Sequence, residues 1–152
     1  MNVYADTSWW FAYKRREDPH HDDAVGLFDR VPAAVVLWTP WQRVEVFNIF
    51  RQAEYRKLIP ADAARDMIRT LQYEVQFGYW VHVEFSWTDA VRAACELGAA
   101  ESLHRPVRGM DLFHVAIAIE VAADAFLSFD DDQNALARAA GFEVLYEKKK
   151  RK

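Results

Sequence analysis

Four acids, far apart in a chain of 152 residues, are the side chains whose types best suit them to do chemistry: Asp6, Glu45, Asp111 and Asp130. Asp6 ends the apolar run Val3-Tyr4-Ala5 and is followed by two hydroxyl residues, Thr7 and Ser8. Glu45 lies inside a largely apolar stretch, where an acid is costly unless it is paired, for instance with an arginine, or bound to a cation. Asp111 begins another apolar stretch, and His114 follows it three residues on, pointing the same way if the stretch is helical. Asp130 follows Ala125–Phe129 and leads the triplet Asp130-Asp131-Asp132. Carboxylates brought to one point repel and raise one another's pKa values. A hard divalent cation removes that conflict, and all-oxygen ligation is what Mg2+ or Mn2+ prefers. Such an ion polarises a phosphoryl oxygen and lowers the pKa of a bound water, so phosphodiester hydrolysis is the natural chemistry of these residues if the fold gathers them.

The elements that must do the gathering alternate. Val3–Ala5 reads as a first strand stopping at Asp6, with a helix opening on Thr7 or Ser8 and running to Tyr13. Pro19 opens a second helix to about Asp29. The histidines and acids of its first turn (His20, His21, Asp22, Asp23) are expected to be a solvated helix start. Ala34–Trp38 is a continuous apolar run, expected to be a strand buried on both faces. Thr39-Pro40 opens a helix to about Ala53 that is apolar nearly all round and therefore expected to be buried, with Glu45 on the face of Trp41, Val44, Asn48 and Ile49. An amphipathic helix follows from Pro60 to about Gln76, with Ala64, Met67, Ile68, Leu71 and Val75 inward. Tyr79–Val83 is a third strand, in which His82 is expected to be a hydrogen-bonded sheet residue. Thr88 caps a helix to about Leu103, where Ala94, Gly98 and Ala99 allow close packing. Pro106 and Gly109 mark a loop before the apolar helix Met110–Ile119. Ala125–Phe129 is a fourth strand, Gln133–Ala140 a helix stopped by Gly141, and Phe142–Leu145 a last edge strand. One of the three consecutive acids is needed to cap that helix, which leaves at least one for other work. The alternation predicts one three-layer α/β/α domain over residues 1–146. In such a sheet ligands collect at the carboxyl ends of the strands, where Asp6 and Asp130 fall.

Composition narrows the classes. Apolar residues make up 52% of the chain, too many for a disordered one. Six Trp and ten Phe predict large, flat core contacts or a partner surface. The single cysteine, Cys95, cannot form an internal disulfide and is expected to be a packed thiol. With no signal-peptide pattern and no long apolar run, the expected location is the cytoplasm, with no membrane partner. Net charge is −4, but residues 147–152 hold five cations and one acid, a net +4 that leaves −8 on residues 1–146. An acidic body argues against simple electrostatic binding of a phosphate backbone and fits carboxylates that need a cation. The basic tail, 147–152, is expected to be disordered.

Four segments in order then carry a resemblance: Val3-Tyr4-Ala5-Asp6-Thr7-Ser8; Val44-Glu45-Val46; Arg108-Gly109-Met110-Asp111-Leu112-Phe113-His114-Val115-Ala116; and Phe126-Leu127-Ser128-Phe129-Asp130. The chain resembles the PIN-domain ribonucleases, especially the VapC-type toxins of bacterial toxin–antitoxin pairs, over about residues 1–145. The resemblance implies a Rossmann-like parallel sheet with strand order 3-2-1-4-5. It implies an endoribonuclease dependent on Mg2+ or Mn2+ that inhibits translation by cutting structured RNA, often tRNA or rRNA. It also implies a homodimer and a cognate VapB-type antitoxin whose tail reaches the acidic groove. Carried over, Asp6, Glu45, Asp111 and Asp130 are metal ligands, directly or through water. Thr7 or Ser8 orients Asp6 or a water, and Arg108 steadies the third acid or the RNA. At the fourth position Asp130 matches best, with Asp132 sharing the ion and Asp131 capping the helix as the open alternative.

Rival chemistries fit less well. A haloacid-dehalogenase-type phosphatase needs a second acid two residues after the first, where this chain has Ser8. A receiver domain needs a paired acid before its phosphorylated Asp, and a dinucleotide site needs Gly-x-Gly-x-x-Gly after the first strand. The remaining rival is a catalytically weak PIN-like RNA-binding or assembly module, against which the acids themselves argue, since a pure binder gains affinity by losing them.

Overall fold

The computed structural model describes residues 1–147, so the tail expected at 147–152 lies outside the described residues except for Glu147. Among the described residues five parallel strands form one sheet: β1 (Asn2–Ala5), β2 (Val35–Trp38), β3 (Val81–His82), β4 (Ala125–Leu127) and β5 (Glu143–Val144). Their order is β3-β2-β1-β4-β5, as expected. Val3 pairs with Val36 on one side and Ala125 on the other, so β1 is the central strand. The chain builds outward from β1 to β3, then returns across the sheet to β4. Both neighbours of β1 are thus reached in opposite directions, and the crevice at its carboxyl end is the switch point where open α/β sheets bind ligands.

Alternation along the strands decides which helix covers which face. Val3, Ala5, Val36, Trp38, Ala125 and Leu127 point to one face. They pack there against α1 (Thr7–Lys14), α4 (Pro40–Tyr55) and α5 (Ala63–Gln76). Tyr4 and Phe126 point to the other, against α6 (Trp87–Glu101), α7 (Gly109–Glu120) and α8 (Asp131–Ala139). On the first face the indoles of Trp9, Trp10, Trp38 and Trp80 meet edge to face, with Trp10 at 4.9–5.1 Å from the other three ring centres. Below them Lys14 pairs with Glu74, which also accepts from Trp80 Nε1 at 2.7 Å. The abundance of Trp is thus spent largely inside the protein.

Several boundaries differ from the sequence expectation, each for a local reason. Asp6 itself caps α1: its Oδ1 accepts from the N–H groups of Ser8 (3.0 Å) and Trp9 (3.2 Å), so the helix opens at Thr7, with the acid rather than a hydroxyl residue as its cap. The expected 19–29 helix is broken at Gly26 into α2 (His21–Val25) and α3 (Leu27–Arg30). His20 stacks on Phe129 and His21 Nδ1 bonds the Ala12 carbonyl at 2.8 Å, so this helix start is part-buried rather than solvated. α4 is only half buried: Val46, Phe47, Phe50 and Ala53 face the core, while Val44 is 59% exposed and Tyr55 82%. Its start is fixed by a capping box in which Thr39 and Gln42 satisfy each other's backbone N–H groups. Ser86, not Thr88, caps α6. Cys95 is exposed rather than packed, and so is Ala99, whereas Gly98 does allow the close approach expected, since a Cβ there would meet Leu112 Cδ1 at 3.2 Å. Asp130, not Asp131, caps α8. No helix among the described residues is long and apolar enough to cross a membrane.

Candidate active site

Asp6, Glu45, Asp111 and Asp130 line one cleft of about 520 Å3 at the carboxyl ends of β1 and β4. They arrive from four directions: the end of β1, the second turn of α4, the first turn of α7, and the end of the loop after β4. Thr7, Ser8, Arg108 and His114 line it too, with Asn48, Gln52, Arg56 and Gln133. Asp132 does not; it is exposed in the first turn of α8. A larger hollow of about 1300 Å3 lies between α4 and α5, but it carries none of the four acids, so chemistry rather than size selects the smaller one.

Asp6 sits deepest, 6% exposed. Beyond the two backbone N–H groups, its Oδ1 accepts from Ser8 Oγ at 2.5 Å and its Oδ2 from Ser128 Oγ at 2.6 Å. Burial pushes the Asp6 carboxyl above the usual carboxylate range, against the pull of His114 and of these donors. A carboxylate so placed gains from a nearby cation. The two serines also stitch strand ends together: Ser8 Oγ accepts from the Phe129 N–H and Ser128 Oγ from the Asp130 N–H, each at 2.9 Å. Ser8 thus serves Asp6, while Thr7 serves another acid.

That acid is Glu45. Thr7 Oγ1 donates to its Oε2 at 2.8 Å, and His114 Nε2 lies 2.5 Å from the same oxygen. Burial works against ionisation of Glu45, but the bonds from His114 and Thr7 outweigh it and hold its carboxyl below the usual range. An ionised carboxylate only accepts, so His114 Nε2 carries the hydrogen. On the far side, the Tyr4 hydroxyl bonds His114 Nδ1 at 2.9 Å. The partner of Glu45 is therefore a histidine on α7, not the arginine considered from sequence. Tyr4 and His114 are both buried, which sets an energetic test. His114→Ala is expected to cost roughly 1–3 kcal/mol, because it leaves the Tyr4 hydroxyl and Glu45 short of a partner. Tyr4→Phe should cost less, and the double variant less than the two single costs combined. Urea unfolding of the three variants measures this; additive costs would show that the three groups do not act as one chain.

Asp111 and Asp130 share a cation already present in the chain. Arg108 Nε lies 3.0 Å from Asp111 Oδ2, and its Nη2 lies 3.3 Å from Asp111 Oδ1 and 2.9 Å from Asp130 Oδ2. The acids in turn hold the Arg108 guanidinium above its ordinary pKa, chiefly through the Asp111 bond. Gln133 Nε2 donates to the Asp111 carbonyl at 3.1 Å and locks α7 to α8.

Among the described residues no three Asp, Glu, His or Cys side chains form a group that could hold a metal ion as they stand. The donor set still fits a hard cation: four carboxylates face one cleft, at least one is destabilised by burial, and two are already bridged by positive charge. Sequence reasoning missed Ser128, although it falls in the quoted segment before Asp130, where a hydroxyl at a strand end was the available signal. It also set His114 on the same side as Asp111 without assigning it to Glu45.

A sequence search of curated proteins returns no match. Among solved structures the chain is similar to the sarcin–ricin-loop-cleaving toxin VapC20 of Mycobacterium tuberculosis (20% identity, TM-score 0.64, covering 92% of this chain and 95% of that one). It is similar to VapBC2 of Rickettsia felis, solved with a promoter DNA fragment (11%, TM-score 0.65, 95% and 97%). It is also similar to FitAcB of Neisseria gonorrhoeae (11%, TM-score 0.62, 93% and 95%). At these identities the likeness is one of fold. The family model described as PIN domain, in contrast, matches the sequence itself over residues 3–139, from the strand that delivers Asp6 to the helix that Asp130 caps. The chain belongs to the PIN-domain family.

Proposed function

We propose that this chain is an endoribonuclease that depends on Mg2+ or Mn2+ and hydrolyses RNA phosphodiester bonds. One observation carries the reading: four carboxylates from four separate elements face a single cleft at the switch point of the sheet. Asp6, Glu45, Asp111 and Asp130 would hold the cation, directly or through water. When bound, that cation would polarise a phosphoryl oxygen and supply a hydroxide at neutral pH. The chain's own residues set the stage for this. Ser8 and Ser128 fix both oxygens of Asp6, and Thr7 and His114 hold Glu45 ionised. Arg56 and Arg108 add positive charge to an otherwise acidic cleft, where an RNA backbone needs it.

The biological role we assign is the toxin of a VapBC-type pair, acting on structured RNA such as tRNA or rRNA. The similar VapBC2 structure is named for a VapB and a VapC component, which supports a VapB-type protein partner for this chain, and a homodimer is proposed with it. We propose residues 1–146 as the functional unit and the cytoplasm as its location. A second reading, a non-cleaving RNA-binding or assembly module, draws its support from Arg108, which already pairs with two of the acids.

Cleavage of a labelled structured RNA, with Mg2+, Mn2+ or EDTA, separates the two. We expect cleavage only with the divalent ions and complete loss in EDTA. Tight RNA binding that ignores the ion, with no cut product, would favour the module.

A further inference from the structure

Asp111 and Asp130 belong to different elements, and one side chain ties them together. Arg108 Nη2 lies within 3.3 Å of an oxygen of each carboxylate, the place a bridging cation takes. The Arg108 side chain is 73% exposed, so the fork, not packing, holds it there. The backbone is fixed separately: the Arg108 N–H donates to Asp111 Oδ2 at 3.0 Å and closes the start of α7. Side-chain changes at this position therefore leave the helix start intact. A divalent ion bridging the same two acids needs oxygens at about 2.0–2.1 Å, closer than any guanidinium contact, so the two cations exclude each other.

We propose that Arg108 is a built-in occupant of the cation site, pairing Asp111 with Asp130 in the ion-free protein and leaving when a divalent ion enters. This rests on the reading that the four acids hold such an ion. It gives the site a partly charge-compensated resting state, and it makes ion uptake an exchange rather than a simple addition. Exposed ion pairs are individually weak, so the fork opens readily and the exchange costs a modest factor in affinity. Removing the guanidinium should tighten Mn2+ binding by about fivefold. Lysine, which keeps the charge but loses the planar fork, should give a smaller gain.

The test is Mn2+ titration of the full chain, followed by calorimetry and by loss of the free-ion EPR signal. The proteins are wild type, Arg108→Gln, Arg108→Lys, Arg56→Gln and Asp6→Asn. Arg56 lines the same cleft and reports what loss of any nearby positive charge does. Tighter binding in Arg108→Gln than in wild type and in Arg56→Gln is the expected result. An equal or weaker affinity in Arg108→Gln, or an equal gain in Arg56→Gln, overturns the exchange while the cation reading stands, provided Asp6→Asn abolishes binding. No binding in any of the five proteins, or binding indifferent to Asp6→Asn, overturns both.

Discussion

Replacing Asp6 with asparagine is expected to lower divalent-dependent RNA cleavage by about a hundredfold or more while leaving the protein folded. The activity loss follows from position. Asp6 is the deepest of the four acids, and both of its oxygens are held in place by hydroxyl donors. The fold survives because asparagine caps helices about as well as aspartate, and its remaining oxygen still accepts from Ser8 and Trp9. Stability should in fact rise or hold at neutral pH. Burial raises the Asp6 carboxyl pKa in the folded state, so the folded protein keeps that proton to higher pH than the unfolded chain does. Wild-type stability therefore falls as pH climbs from the ordinary carboxylate range through the raised value, and the full penalty remains above it. Asparagine has no charge to bury and skips that penalty. Thermal unfolding between pH 4 and pH 8 measures the difference: the wild-type Tm should fall relative to the variant as pH rises. A variant Tm that drops well below wild type at every pH would mean that the carboxylate is structural.

The second large effect concerns stability. Trp10 is fully buried, meets three other indoles edge to face, and donates its Nε1–H to the Ala5 carbonyl at 3.2 Å. Ala5 is the last residue of β1, directly before Asp6, and its carbonyl also accepts from the buried Gln42 amide. Trp10→Ala removes the ring, opens a cavity that neighbouring indoles cannot fill, and leaves one bond to that carbonyl unmade. The expected cost is about 3–5 kcal/mol. Against a total stability of about 5–15 kcal/mol, that is a large fraction of what holds the domain together. Urea unfolding reads it as a lower midpoint at unchanged slope. A loss under about 1 kcal/mol would show that the tryptophan cluster is not the centre of this core. Trp10→Phe, which retains most of the ring volume, should lose much less.

The sheet was legible in the sequence because its signal is redundant. Short apolar runs alternate with helical periods, and three of those runs, in β1, β2 and β4, form strands buried along most of their length. The gathering of Asp6 and Asp130 followed from the same fact, since Asp6 directly follows β1, Asp130 closes the short loop after β4, and these two strands pair with each other. Local choices were harder. Asp, Thr and Ser all cap helices, so Asp6-Thr7-Ser8 and Asp130-Asp131-Asp132 each offer several start points, and hydrogen-bond geometry alone decides between them. In α6 the apolar residues Trp87 and Val91 stand four apart and face outward, with Cys95 four further on. That stripe faces outward, whereas the Ala-rich helical pattern around Cys95 reads in sequence as packed. Arg108 shows where spacing stops. Its reach to Asp111 is a three-residue interval along one helix start, but its contact with Asp130, 22 residues on, exists only because α7 and the end of β4 converge.

The proposed activity requires these four acids to share a divalent ion. A crystal of the full chain soaked in Mn2+, with diffraction collected at the manganese edge, tests it most directly. An anomalous peak is expected in the cleft, with Asp6 and at least one of Glu45, Asp111 and Asp130 either about 2.0–2.3 Å from it or joined to it through one water. RNA cleavage by a chain whose manganese peak lies elsewhere, or whose cleft stays empty at saturating ion, would contradict it.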